Sequence, residues 1–403
     1  MLFTTKRLHR FEAQRNASTG LRFKAPASWK WLRARKSELH KFAHTLSEFD
    51  APLLPSVRRM WKLLWREKFS PDEVFMLALL DPGKRDADLN NYFSKERLLH
   101  LQLKLNPAGA RKLTADKLSF HRHCVENGIS TPGVICVISG QTSRSQIEIP
   151  CLASTADWES FFSRQSIDSI FIKPVSGAHG KGVLSLDISS DRYIDSNGRS
   201  LDVNEIFDHF SRFEYESWMI QKRIVGHKAL RELSDTRYLQ TVRVVTYIDG
   251  RGSVKVIGAR LRLIGGRAEA DNFNFGLSGN LIASIDASSG CIKNAVTMRE
   301  NLLGLICVSH HPSTGRPIIG FQVPCWGSVL ALVETAARKF LPLRTVGWDL
   351  AITDDDVLLV EGNETWDSGF YDLDFTNEYD LLKNLSQLDI DIESTIHSYS
   401  PKI

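Results

Sequence analysis

The stretch from Val346 to Asn363 reads VGWDLAITDDDVLLVEGN, two apolar runs on either side of three consecutive aspartates. Each run has the length and composition of a strand, and Asp354-Asp355-Asp356 forms the loop of a hairpin. Pairing centred on Asp355 sets position 349 opposite position 361. Asp349 and Glu361 then face each other with Cβ atoms about 5 Å apart, and Asn363, two residues on, shares their face. Opposed carboxylates repel unless something cationic lies between them. Oxygens from Asp, Glu and Asn are what magnesium takes, with water and phosphate completing its octahedron. A solvated acidic hairpin accounts for Asp354 to Asp356 but poorly for Asp349, whose strand is otherwise apolar. The hairpin is therefore read as a metal site.

A second hairpin joins residues 240–248 to 253–264 around Asp249-Gly250-Arg251-Gly252. With a two- or four-residue loop, position 243 pairs with 258, and Arg243, Arg260 and Arg262 point to one face. A three-residue loop breaks that grouping. Three arginines on one face suit a triphosphate and the anionic intermediates of acyl transfer, and a solvated charged face is the alternative.

Upstream, residues 171–183 read FIKPVSGAHGKGV. A P-loop needs Ser or Thr after G-x-x-x-x-G-K, and a dinucleotide fingerprint needs a helix after its glycines. Here Val183 follows Gly182, and Val183 to Asp187 alternates as a strand. The segment is a strand, a Lys-Pro hinge at Lys173, a flexible turn and a second strand. Such a hairpin can fold over phosphates with its backbone N–H groups, or be an ordinary glycine-rich turn. By itself it does not decide.

Residues 1–36 carry ten Lys or Arg and one acid, Glu12. A basic leader of this kind is an organelle transit peptide, a surface for anionic lipid or a solvated arm. Helices follow over 37–105. Val57, Met60, Trp61, Leu64 and Trp65 recur at helical spacing, a stripe expected to pack on its own protein rather than lie on a membrane. Ser70-Pro71-Asp72-Glu73 is a capping box opening a Val74–Leu80 helix. Beyond Pro107, a helix over 114–127 capped by Thr114, strands at 134–138, 169–173, 183–187 and 218–225, and helices near 203–211 and 326–340 make an α+β body.

The bulk numbers fit that body. The 403 residues are 42% hydrophobic, enough for two or three domains. A net charge of +4 is too small to argue for nucleic acid, and the longest apolar run falls far short of the roughly 20 residues of a membrane span. Six scattered cysteines suggest neither zinc nor a disulfide framework, so a reducing, cytoplasmic setting is expected. His310 and His311, adjacent in a strand, point to opposite faces, and a loop-anchoring role is expected for either.

Lys173 before a glycine hairpin, a strand with Arg243, and Asp349 with Glu361-x-Asn363 resemble, in that order, the ATP-grasp superfamily. LQTVRVVTYI, GARLRLIGG, DNFNFGLSGNLIASID, HHPSTGRPI and VGWDLAITDDDVLLVEGN are similar to its sugar-transfer-associated, alpha-L-glutamate-ligase-related family, over roughly residues 70 to 370. The resemblance implies two α+β subdomains clasping ATP over residues 106–395, the glycine-loop subdomain lying at about 165–225. Lys117 and Lys173 would contact ATP phosphates under a loop of Ser176, Gly177, His179, Gly180, Lys181 and Gly182. Gln221, Lys222, Arg223 and Ile224 would line the adenine mainly through backbone. Many relatives place a glutamate in that segment, where Gln221 and Lys222 stand here. Arg243 would hold the transferring phosphate, with Arg260 and Arg262 beside it. Asp349, Glu361 and Asn363 would bind magnesium, as two ions, with manganese an alternative. The implied activity is a carboxylate–amine ligase acting through an acyl phosphate on small molecules, an amino acid and a sugar acid being the expected pair. A small-molecule kinase and a non-catalytic nucleotide-binding or membrane-peripheral protein are the alternatives.

Overall fold

The computed structural model describes residues 27–367 apart from 86–88, 90–91, 140–148, 178–180, 190–191, 267–269 and 274–276, with side chains from residue 36 onward. Most of the basic arm, the tip residues His179 and Gly180, and the expected domain's end beyond 367 lie outside these residues.

Two seven-stranded sheets dominate. The first is built from β1 (Val134–Ser139), β2 (Cys151–Leu152), β3 (Ser169–Pro174), β4 (Leu184–Ser189), β5 (Arg192–Asp195), β6 (Ser200–Leu201) and β7 (Ser217–Lys222), in the order β2-β1-β7-β3-β4-β5-β6. Its helices α6 (Thr155–Phe162) and α7 (Val203–Ser211) bury Trp158, Phe162, Ile206 and Phe210 against Ile170, Ile172, Leu186 and Ile220. Capping boxes start both helices, Ser154 with Asp157 and Asp202 with Glu205.

The second sheet holds β8 (Thr241–Ile248), β9 (Val254–Leu263), β10 (Leu281–Ile285), β11 (Ile292–Met298), β12 (Leu305–Cys307), β13 (Thr345–Ile352) and β14 (Val357–Asn363). Its order is β12-β11-β10-β9-β8-β13-β14. Because β8 and β13 are central, alternation leaves one face of each apolar: Val242, Val244, Trp348 and Leu350 meet Val329, Val333 and Ala336 of α9 (Trp326–Lys339). The other face carries the charged positions, Arg243 and Asp349 among them. Short helix α8 (Lys228–Ser234) connects the sheets, its His227 N–H donating to Ile352 O at 2.7 Å.

The helical segment has α1 (Ala27–Glu48), α2 (Leu53–Trp65), α3 (Pro71–Met76) and α4 (Lys95–Leu105). The Ser70–Glu73 capping box is present, although regular helix stops at Met76 rather than Leu80. α3 and the following turn pack Val74, Phe75, Leu79 and Leu80 with Ile282, Val296 and Met298 of the second sheet. α4 sets Leu98, Leu101 and Leu105 against Val245, Tyr247, Ile257 and Trp366. Buried Asn106 then ties this segment to β13, donating to Thr345 O and Glu364 O and accepting from Arg344 N and Thr345 N. The stripe on α2 departs from expectation: Leu63 is buried, but Val57, Trp61 and Trp65 are exposed. The helix sits at the rim, so among the described residues only one of its sides is packed.

A further correction concerns α5 (Lys117–Glu126), whose cap is Asp116, accepting from Ser119 N at 2.7 Å. Thr114, the expected cap, instead donates to Glu364 Oε2. The carboxylate is the stronger acceptor for helix N–H groups, and it sets the start three residues later than the periodicity suggests.

Candidate active site

The polar face of the second sheet carries one rung across five strands. Glu361 pairs with Asp349, Asp349 with Arg243, Arg243 with Arg260, and Arg260 with Ser284. Asn363 and Arg262 stand two residues along from Glu361 and Arg260 and share that face.

β-bulges set this register. In the hairpin of β13 and β14, Thr353 N–H donates to Asp356 O, making a two-residue turn of Asp354 and Asp355. That turn alone would set 349 opposite 360. An extra residue at Val360 shifts the ladder, so Asp349 meets Glu361 as expected, though by a different route. In the hairpin of β8 and β9, Asp249 N–H donates to Ser253 O, leaving a three-residue turn that by itself scatters the arginines. A bulge at Ile257 restores the parity, and Arg243 lies opposite Arg260 rather than position 258.

Protein cations meet the opposed carboxylates. Arg243 grips Asp349 with both forks, Nε on Oδ1 and Nη2 on Oδ2, the latter at 2.8 Å. Arg262 reaches Asp349 Oδ1 at 3.3 Å and Thr241 Oγ1 at 3.3 Å. Burial alone would raise the Asp349 carboxyl, yet the two guanidiniums hold it below its usual range. Arg243 mirrors this: burial pulls it down, and Asp349, with Glu361 behind, lifts it above its usual value. Gly347 makes room for the pair, since a Cβ there would lie 3.2 Å from Arg243 Cδ and 2.7 Å from Trp366 Cβ. Arg260 is buried beside them.

Helix α5 supplies Lys117 and β3 of the first sheet supplies Lys173. Lys117 N–H donates to Val175 O at 3.0 Å, docking the start of α5 against the end of β3. Lys117 Nζ donates to Gly177 O at 2.8 Å and lies 3.8 Å from Glu361 Oε1. Lys173, only 6% exposed, is lowered to about 8 by burial, with Glu361 and Asp349 opposing that fall and Lys117 adding to it. Two lysines, two carboxylates and two arginines thus converge where the sheets meet.

The glycine segment is a hairpin, β3 antiparallel to β4 with Ile172 opposite Leu184. Ser176, Gly177 and Lys181 are exposed. Gly182 has φ of +83° and packs so closely that a Cβ would sit 2.9 Å from Trp218. Its carbonyl accepts from His209 Nε2 at 2.9 Å, so Lys117 and His209 pin the two ends of the turn.

The residues expected to line the adenine fall on and just after β7. Gln221 turns inward, its Nε2 donating to Pro132 O at 3.0 Å, while Lys222 is exposed. Arg223 pairs with Asp187, and Ile224 is half-buried. Side chains of 221 and 223 are therefore committed to protein partners. Sequence reasoning missed His209, which sits in no motif, and Asp271, which lies within DNFNFG without a role attached. Buried Asp271 accepts from Thr241 N and Oγ1, and desolvation raises its carboxyl. His311, 1% exposed, donates through Nε2 to Ile264 O and accepts from Ser313 N, a loop anchor as expected.

Among the described residues no group of three or more His, Cys, Asp or Glu side chains is placed to hold a metal. Two carboxylates and an amide are nonetheless hard oxygen donors of the kind a divalent cation takes. Glu361 is one-third exposed and Asn363 half-buried, so both are reachable; Asp349 is held by arginines.

The fold is similar to several solved structures. An ADP complex of N5-carboxyaminoimidazole ribonucleotide synthetase is 10% identical, with a TM-score of 0.36, over 63% of this chain and 46% of that one. D-alanine–D-alanine ligase from Bacillus anthracis is 11% identical, TM-score 0.37, over 70% of each chain. Biotin carboxylase from Campylobacter jejuni is 11% identical, TM-score 0.40, over 72% of this chain and 50% of that one. The chain thus spans about half the length of the first and third. No curated protein matches the sequence. A profile of the sugar-transfer associated ATP-grasp family matches residues 96–389 of the 403. The chain belongs to the sugar-transfer associated ATP-grasp family.

Proposed function

We propose that this protein is an ATP-dependent carboxylate–amine ligase. The observation that carries the reading is the convergence of Lys117 from α5 and Lys173 from β3 with Glu361, Asp349, Arg243 and Arg262 from the second sheet, beside a hairpin with exposed Gly177 and Lys181.

In the proposed reaction a substrate carboxylate oxygen attacks the γ-phosphorus of ATP. The bond from that phosphorus to the β-bridging oxygen breaks, and ADP leaves. The acyl phosphate is then attacked at carbon by an amine, the C–O bond breaks, phosphate departs and the amine's proton passes to solvent. Lys117 and the buried Lys173 offset charge on the transferring phosphoryl group. Arg243 and Arg262 would hold the anionic tetrahedral species, and their grip on Asp349 keeps them oriented beforehand. Glu361, Asn363 and Asp349 are the residues that would hold magnesium, which when bound neutralises the polyphosphate. No covalent enzyme intermediate is needed, so no Ser or Cys nucleophile is assigned. An amino acid and a sugar acid are the proposed substrates, in keeping with a family associated with sugar transfer.

A screen of carboxylate and amine pairs tests this, with ADP followed by a coupled assay and products by mass. ADP formation that needs both partners, with an amide of the summed mass less water, is expected. A phosphorylated alcohol would make the protein a kinase, and ATP binding without turnover on any pair would make it non-catalytic.

A further inference from the structure

Helix α2 has two apolar sides and uses one. Leu63 is buried, and Met60 and Leu64 pack partly against the cluster around α3. On the other side Leu54, Trp61 and Trp65 are 80, 56 and 65% exposed, flanked by exposed Leu53 and Val57. At 3.6 residues per turn Leu54, Trp61 and Trp65 fall along one line, and Arg58, Lys62 and Arg66, four apart, run parallel to it. From Ala51 to Arg66 there is no acidic residue. Further upstream, residues 1–36 carry ten cations against one acid, with Glu38, Glu48 and Asp50 lying between them and this helix.

We propose that α2 docks this protein on the surface of an anionic lipid bilayer. Tryptophan and leucine beside a cationic ridge is the arrangement that settles at the headgroup boundary, apolar side down and cations among the phosphates. The charge pattern selects lipid over a second copy of the chain, because a two-fold contact through this face would set one acid-free cationic ridge against another. Among the described residues no helix is long and apolar enough to cross a membrane, so the contact is peripheral. The proposal stands apart from the ligase reading, since α2 contributes nothing to the site.

The test uses the full chain and sedimentation with vesicles of phosphatidylcholine alone or with about one-third phosphatidylserine. Binding to the anionic vesicles only, weakening with salt, is expected. Trp61→Ser with Trp65→Ser should lower the partition coefficient roughly 20-fold or more. Arg58→Gln with Arg66→Gln, which leaves the apolar residues untouched, should lower it about 25-fold. Both variants should keep the wild-type thermal midpoint. The proposal is overturned if the wild type ignores anionic vesicles, or if the tryptophan variant binds as well as wild type, which would credit the arm alone. A lipid-free dimer dissolved by the tryptophan change would assign the face to a second copy instead.

Discussion

Asp349 and Glu361 sit opposite each other, yet their surroundings predict different failures. Asp349→Asn leaves two largely buried guanidiniums, Arg243 and Arg262, without their shared anion. Stability should fall by about 3 kcal/mol or more, read as a lower denaturation midpoint, together with loss of ATP turnover. Glu361 is one-third exposed, and Lys117 stands 3.8 Å away. Glu361→Gln should cost less than about 1 kcal/mol of stability while lowering ADP formation roughly 100-fold. Equal stability loss in the two variants would contradict the assignment of Arg243 and Arg262 to Asp349. Lys173 supplies a pH signature. Its folded value, about 8, lies below the ordinary 10.5, so the unfolded chain binds more protons between these two values. The cost of burying the charge, roughly 3 kcal/mol, is fully present below pH 8 and is removed as pH rises towards 10.5, so Lys173 makes stability climb across that window. Lys173→Met should lack that climb in pH-dependent melting. Over the same window ATP affinity should fall for the wild type, whose ammonium is lost, and stay flat and weak for the variant.

Hairpins are the elements that build the site, and each depends on one irregular residue. Gly182 joins a left-handed φ of +83° to contact with Trp218. Gly182→Ala should destabilise the glycine hairpin by about 1–2 kcal/mol and raise KM for ATP several-fold, with kcat less affected. Unchanged KM would argue that this turn does not meet the nucleotide. The hairpin character of residues 171–189 was legible because a strand pattern, not a helix, follows the last glycine. The sharing of one face by Glu361 and Asn363 was also legible, whereas Asp349 joins them through the bulge at Val360 and not through the expected three-residue loop. The bulges at Val360 and Ile257 were not, since an extra residue leaves no mark in an apolar run and is accepted only because flanking strands reward the shifted register.

At the scale of the molecule, the helical segment and the second sheet are joined through buried Asn106, whose side chain makes four hydrogen bonds to backbone atoms of residues 344, 345 and 364. Asn106→Ala would leave several buried groups unsatisfied and should cost about 2–4 kcal/mol, seen as a lower denaturant midpoint with unchanged slope. A change under about 0.5 kcal/mol would mean that water replaces the amide. The sequence by itself determined what depends on near neighbours: the Ser70–Glu73 capping box, the strand–turn–strand reading of the glycine segment, and the face shared by Glu361 and Asn363, because period and cap chemistry act within a few residues. Only the tertiary structure decided that Asp349 is held by Arg243, 106 positions away. It also decided that Gln221 and Arg223 are committed to Pro132 and Asp187, and that the tryptophan side of α2 is exposed. Such outcomes follow from strand order and from where each element meets the core, and a one-residue shift in register reverses every side chain of a strand at once.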